Sequence, residues 1–378
     1  MRLLFASLSI LTLGASACSN NEPPPPPPPP PIPQIVLDMS ATIAAGADLE
    51  YCRFVTVPET WVTKDTIEFT PGSHHVLVYQ TSYTSIPTQK DDGTKVDTSG
   101  VFDCSGAAFS GWSLTKLVGG SQNPHGEAML SFPEGIGMKL GGVLLINAHY
   151  RNGSDGALAT DIKIKFDTTT ADAITQEGDL LFLDNPLIAV PPHGTARAQR
   201  KCPVYRDITI ANIQSHMHGH GVSFEARVAG GAPFYVNDRW EDVPVQTYEG
   251  FRVPAGSQLD YVCNYHNTTG TAIYRGARGT DEMCTLIGSY YPADPRTSGC
   301  LDETGTRPGG DWIGQGTATC AKTMGCMQAA TTLQHVTDCI LAAAPNVSRA
   351  SSDLLRCFYA SQTPQTECGA QIQACAAQ

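Results

Sequence analysis

Residues 205–221 read YRDITIANIQSHMHGHG. The first half alternates β-branched with small or polar side chains, which is the pattern of a short, half-buried strand. Side chains at i and i+2 of a strand share a face, so His216 and His218 project together. His220 joins them if the strand continues past Gly219. Two neutral imidazoles at this spacing make a ready chelate for copper or zinc, although polar surface strands also produce the spacing by chance.

Runs of the same kind lie on either side: CRFVTV, HHVLVYQT, GGVLLINAHY, DIKIKF, VSFEARV and LDYVCNY, broken by Gly, Pro, Asn and Asp. Strands this short and this closely spaced predict an all-β chain of antiparallel β-sandwich, jelly-roll-like domains rather than βαβ units. The stretch from about Ile35 to Cys300 is too long for one small sandwich, so two in tandem are expected. The polar segment DTTTADAITQEGD (167–179) marks the boundary, giving domains at 34–172 and 173–305. Beyond it, residues 306–378 form a linker and an Ala/Gln/Leu-rich stretch with six cysteines. The content is helix-forming, and Ser351-Ser352-Asp353 offers a cap for its second helix. None of these six cysteines sits in a close C-x-x-C pair, so a disulfide-stapled helical module is favoured over zinc, with fifteen pairings open.

The chain has 378 residues, 41% hydrophobic and 16% charged, with a net charge of -12. That balance fits a folded protein and argues against a nucleic-acid partner, because an acidic surface repels phosphates. Residues 1–17 read as a signal peptide: Arg2, then an apolar run from Leu3 to Leu13 too short to span a bilayer. GASAC admits ordinary cleavage after Ala17 or a lipobox in which Cys18 is lipidated, though the usual Leu three positions before it is missing. Of 13 cysteines, lipidating Cys18 leaves twelve, an even set that can pair in an oxidising compartment. Residues 18–33 then form a lipid-anchored linker, with Pro23 to Pro31 a polyproline rod of roughly 28 Å. The expected location is the bacterial envelope, as an outer-membrane lipoprotein facing periplasm or exterior, touching the membrane through the lipid alone. Secretion is the alternative.

Other ligand types raise the metal reading. PGSHHVLVY carries His74 and His75, and LLINAHYRN ends a buried-looking strand with His149. Neighbouring strand residues face opposite ways, so His74 and His75 serve one metal only at a strand end or kink, for which Pro71-Gly72 gives an opening. In GTDEMCTLIGSYYP, Met283 supplies a soft thioether that, with two imidazoles, favours Cu(I) over zinc or magnesium. A lone Met is more often core filling. The remaining His125, His193, His266 and His335 sit in loops, a polar turn and the helical tail, and read as surface or hydrogen-bonded residues.

HHVLVY, NAHYRN, SHMHGHG and DEMC, in this order, resemble the motifs of the copper type II, ascorbate-dependent monooxygenases, the family of peptidylglycine α-hydroxylating monooxygenase and dopamine β-monooxygenase. The resemblance covers about residues 48–303. It implies one copper on His74, His75 and His149 and a separate copper on His216, His218 and Met283, the latter being the catalytic site. It also implies the disulfides Cys52–Cys104, Cys202–Cys300 and Cys263–Cys284. The implied reaction is hydroxylation of a substrate C–H with O2 and ascorbate, or another one-electron donor. His220 has no certain counterpart, and the tail lies outside the resemblance.

The substrate positions depart from the peptide enzyme. Where that enzyme has an Arg, an Asn and a Tyr for its substrate's carboxylate, this chain has Gln214, Thr285 and Ile287. Without a guanidinium there is no bidentate carboxylate clamp, so a glycine-extended peptide is not expected. Asn147 stands where that enzyme has a Gln. The expected substrate is a small or peptide-like molecule of unspecified identity. The alternative is a non-catalytic copper-binding or storage protein on the same scaffold.

Overall fold

The computed structural model describes residues 31–378 apart from 106–110, 124–127, 186–187, 302–310, 313–315, 332, 345–346, 348–349, 352, 355–356, 358–360 and 362. The leader, Cys18, most of the polyproline run and His125 lie outside the described residues.

The chain is mostly β and antiparallel. Its first body consists of β1 (Gln34–Ile43), β2 (Asp48–Phe69), β3 (Ser73–Thr81), β4 (Phe102–Asp103), β5 (Leu114–Ser121), β6 (Ile136–Arg151) and β7 (Leu158–Thr169). They hydrogen-bond in the order β1-β7-β2-β6-β3-β5, with β4 on β2. One continuous sheet doubles over to make this sandwich. The long β2 bends where its register against β6 shifts between Val57 and Thr60. The two ends of the sheet then meet across the core. A Cβ placed on Gly119 of β5 would come within 2.7 Å of the Phe166 ring on β7. The core draws Met39 and Ile43 from β1, Val76 and Val78 from β3, and Ile162, Ile164 and Phe166 from β7.

The second body holds β8 (Gln176–Glu177), β9 (Asp179–Asp184), β10 (Ala189–Val190), β11 (Thr195–Pro203), β12 (Ile208–His216), β13 (Gly221–Val228), β14 (Pro233–Asn237), β15 (Gln246–Val253), β16 (Gln258–His266), β17 (Ile273–Tyr274), β18 (Thr285–Tyr291) and β19 (Asp311–Trp312). Its two main sheets run β14-β13-β16-β11-β19 and β15-β12-β18-β9, while β8 pairs with β6 of the first body. Ile210, Leu286, Phe224, Tyr261 and Leu183 fill the space between them.

Period-two burial explains the site's location. Along β3, Val76 and Val78 point into the first core, and His75, Leu77 and Tyr79 point the other way. That second face is buried too, against Phe182, Met283 and Ile287 of the second body. A strand covered on both faces reads as a continuous apolar run, which is why HHVLVY and LLINAHY look alike in sequence.

The tail contains the helices Cys320–Ala329, Leu333–Leu341, Pro364–Glu367 and Gly369–Ala376. The disulfides Cys320–Cys375, Cys326–Cys339 and Cys357–Cys368 staple it. The chain is already helical at Val347 and Ala350, so Ser351 lies inside that turn of helix and does not cap it. Its hydroxyl instead lies 3.7 Å from the Cys375 sulfur. Ile340 packs against Ala189, and Tyr274 donates a hydrogen bond to Asp338, which docks the tail on the second body. Among the described residues no helix is long and apolar enough to cross a membrane.

Candidate metal centre

His74 and His75 face the same way because of a β-bulge. In the β3–β6 ladder Ser73 opposes Tyr150 and His75 opposes His149, so His74 is an extra residue on β3. An extra residue in one strand bends it and re-aims its side chains. Gly72, with φ +105°, lets the chain enter the bulge. The ring of His75 lies 5.3 Å from that of His149, and the ring of His74 is equally close.

His216 is the last residue of β12, opposite Thr285 of β18. Alternation carries on past the strand: Met217 turns into the second core, and His218 returns to the face of His216, ring centroids 5.1 Å apart. Glu282 ties this segment to the methionine. Its carboxylate accepts hydrogen bonds from the backbone N–H of His218 at 3.0 Å, His220 at 2.7 Å and Met283 at 3.2 Å. The Cys263–Cys284 disulfide and a hydrogen bond from Tyr265 to the Met283 carbonyl hold the other side. His220 donates its backbone N–H here and belongs to no cluster of ligand atoms among the described residues.

The two sets of histidines are not apart. Ligand atoms of His74, His75 and His149 lie within 4.8 Å of one another, and so do those of His74, His216 and His218. His74 is common to both sets, with its ring 5.6 Å from His216 and 5.4 Å from His218. The resemblance implies two separate coppers, and here the five imidazoles of both sets form one cluster at the junction of the two bodies. Met283 lines the same small gap as His75 and His216.

Each of the five rings has one buried nitrogen without a hydrogen-bond partner: Nε2 of His74, His216 and His218, and Nδ1 of His75 and His149. Leaving one buried polar atom unsatisfied costs on the order of 1–3 kcal/mol, so five in one place call for a ligand. In three rings the opposite nitrogen is engaged. His149 Nε2 lies 2.7 Å from Asp48 Oδ1, His216 Nδ1 is 2.6 Å from Gln122 Oε1, and His218 Nδ1 is 3.0 Å from the Asp281 carbonyl. An acceptor on one nitrogen places the proton there and leaves the other's lone pair free, the arrangement found behind metal-ligating histidines.

Charge follows the same logic. Burial first, and the neighbouring rings second, push His74, His75 and His216 well below the usual imidazole range. Burial takes His218 down to about 4. The hydrogen bond with His149 is the main reason Asp48 is held below the usual carboxylate range. Burial raises Glu282 to about 7, against the pull of the backbone N–H groups around it. These four imidazoles are therefore neutral near pH 7, as ligation requires. Five imidazole nitrogens and a thioether, with no carboxylate among the described residues grouped with the cluster's free nitrogens, suit Cu(I) or Cu(II) and are poor for magnesium or calcium.

A cleft of about 830 Å³ reaches the cluster on the His74 side, lined by Asp48, Gln122, Arg151, Trp240, Glu241 and Asp242 among others. On the Met283 side the gap is about 20 Å³, which is room for about one water. Ile287 borders that gap. Gln214 is buried and accepts from Gln122, while Thr285 donates to Asp184. Asn147 is buried beside Glu50 and the Cys52–Cys104 disulfide. The structure also pairs Cys202 with Cys300. His335 stands beside Cys326 and Cys339, whose sulfurs are committed to each other. Asp48 and Gln122 are the functional residues that sequence reading missed. Each lies about a hundred residues from its histidine, and neither sits in a motif.

No family model matches the chain, and no curated protein does. Among solved structures it is similar to the major capsid protein P2 from bacteriophage PM2, at 11% identity and a TM-score of 0.25, over 68% of this chain and 96% of that one.

Proposed function

We propose that this protein is a copper-dependent monooxygenase that hydroxylates a substrate C–H with O2 and ascorbate or another one-electron donor. One observation carries the reading: five imidazoles, each with a buried and unpartnered nitrogen, gathered with Met283 at the junction of two sandwiches. His74, His75 and His149 would hold one copper, and His216, His218 and Met283 the other. When bound, copper supplies one-electron exchange with a reductant and with O2, which carbon-based side chains do not.

The protein's own residues perform the rest. The two sandwiches exclude water from His75, His149, His216 and His218, all of them buried. Asp48, Gln122 and the Asp281 carbonyl aim three rings, and Glu282 fixes the spacing between the His218 turn and Met283. Thioether ligation favours the reduced metal. His74 is the one ring at the edge of the open cleft, so small molecules approach from the side of Trp240 and Arg151. With Gln214 turned inward on Gln122, the substrate is held without an arginine clamp at that position. We further propose that Cys18 carries a lipid and that the polyproline run spaces the enzyme from the bacterial envelope.

The small volume beside Met283 favours a second reading, a copper store, since it leaves no room for a substrate there. Loading the protein with copper and supplying ascorbate, 18O2 and a panel of small C–H substrates separates the two. A product heavier by one 18O atom supports the enzyme. Copper bound without oxygen transfer to any substrate supports the store.

A further inference from the structure

We propose that Gln122 of the first body is the positioning residue for His216 of the second, setting its tautomer and so making this ligand's availability depend on contact between the two bodies. Gln122 directly follows β5. Its amide nitrogen donates to the Ser215 carbonyl at 2.8 Å and to Gln214 Oε1 at 2.7 Å. A main-chain carbonyl can only accept, so the Ser215 contact fixes which end of the Gln122 amide is nitrogen. Its oxygen is then the atom 2.6 Å from His216 Nδ1. A carbonyl oxygen cannot donate, so Nδ1 carries the ring's single proton and Nε2 is left bare. Nε2 is also the atom without a partner.

The other two engaged rings take their partners from their own body, His149 from Asp48 and His218 from Asp281. His216 alone among the three is oriented across the junction. The surroundings of Gln122 are built to hold it there. Asp65, fully buried, accepts from the Gly120 N–H at 2.8 Å and the Leu130 N–H at 3.1 Å, which pins the chain on both sides of Gln122. The adjacent Asn123 donates to the Val243 carbonyl, on the loop that carries Trp240. Separation of the two bodies removes the acceptor at Nδ1 and frees the proton to move to Nε2, where it blocks ligation.

The inference rests on the proposed metal centre only for the choice of copper as probe, because the tautomer belongs to the protein itself. The test uses the whole chain, metal-free and 15N-histidine-labelled, read by long-range 1H–15N correlation at neutral pH. Wild type should show His216 protonated at Nδ1. Gln122→Leu should give mixed tautomers and weaken one copper about 10–100-fold. Gln122→Glu keeps an acceptor facing Nδ1 but donates nothing to Ser215. Gln214, whose amide nitrogen has no partner, can turn to meet the carboxylate. This variant should therefore keep the Nδ1–H tautomer and wild-type copper affinity.

Three results would overturn the proposal: an Nε2–H tautomer in wild type, copper affinity unchanged in Gln122→Leu, or Gln122→Glu as weak as Gln122→Leu. The last would make Gln122 a structural tie rather than an orienter. If Gln122→Leu does not fold, the wild-type and Gln122→Glu tautomers decide. A wild type that binds no copper defeats the metal reading, yet the tautomer measurement still stands.

Discussion

At the scale of single residues four rings of the centre are neutral bases kept from protons by burial, and that has a measurable consequence. Four histidines, His74, His75, His216 and His218, have folded-state pKa values below the unfolded value. Between about pH 6.5 and 4.5 the unfolded chain binds protons at these rings and the folded chain does not, so acid destabilises the fold. Asp65 and Glu282 act oppositely. Burial raises both to about 7, so they bind protons when folded over the same range, and their contribution is lost as pH rises. Four rings against two carboxyls leave about two protons, or at most roughly 2.7 kcal/mol per pH unit. Urea unfolding of the metal-free protein between pH 4.5 and 6.5 should show stability rising with pH. A falling slope would mean that the folded rings are charged and unfit to bind metal. Glu282→Gln loses one acceptor for its three backbone donors, and should cost about 1–3 kcal/mol and loosen copper at Met283. Thermal melting and copper retention would detect it, and an unchanged protein would deny Glu282 the tying role.

Legibility at this scale divides by distance along the chain. His216 and His218 are readable because their common face depends on a two-residue period. Met283 is readable only through its resemblance to a known motif. Asp48 and Gln122 are invisible, because what recruits them is a contact that exists only after folding.

At the scale of elements, two devices shape the site. The β3 bulge turns neighbouring histidines to one side, and it depends on Gly72. A Cβ at Gly72 would lie 2.6 Å from Leu158 Cδ2, and its φ of +105° disfavours any L side chain. Gly72→Val should destabilise the fold by about 1–3 kcal/mol and weaken copper on His74 and His75. A variant with wild-type melting and copper content would show that the bulge tolerates a side chain. The kink at Pro71-Gly72 was foreseeable from sequence, whereas a bulge at His74 was not, since register is decided by the partner strand β6. The second device is the Cys263–Cys284 disulfide across a separation of 21 residues, with Met283 next to it. Replacing both cysteines by serine should cost about 3 kcal/mol by loop-closure entropy. The Met283-bearing segment should also become more exposed to hydrogen exchange than β18, which follows it. Uniform protection would mean that Glu282 and Tyr265 hold it without the disulfide.

For the molecule as a whole, strand spacing and composition made the all-β class and the helical tail legible. The pairing of the tail's cysteines was not, because fifteen arrangements share one sequence. The approach of the two histidine sets was hidden for a deeper reason. It depends on how one sandwich rests on another, through Ser131 on Ser289, Asn123 on Val243 and Gln122 on Ser215. None of these contacts has a local pattern. The tail packs on Ala189 and Tyr274 and supplies none of the cluster's five histidines, so a chain ending at residue 315 should bind as much copper as the full chain. Loss of copper on truncation would give the tail a part in the centre.

The most direct test of the central claim is copper per chain, counted on protein folded under oxidising conditions, for wild type, Met283→Ala and His74→Ala. The account predicts two coppers in wild type. In Met283→Ala one should be lost or strongly weakened, together with the sulfur scattering seen by X-ray absorption in the reduced state. In His74→Ala both should be weakened, since that ring stands between the two sets. One copper or none in wild type, or full retention of both in either variant, would contradict it.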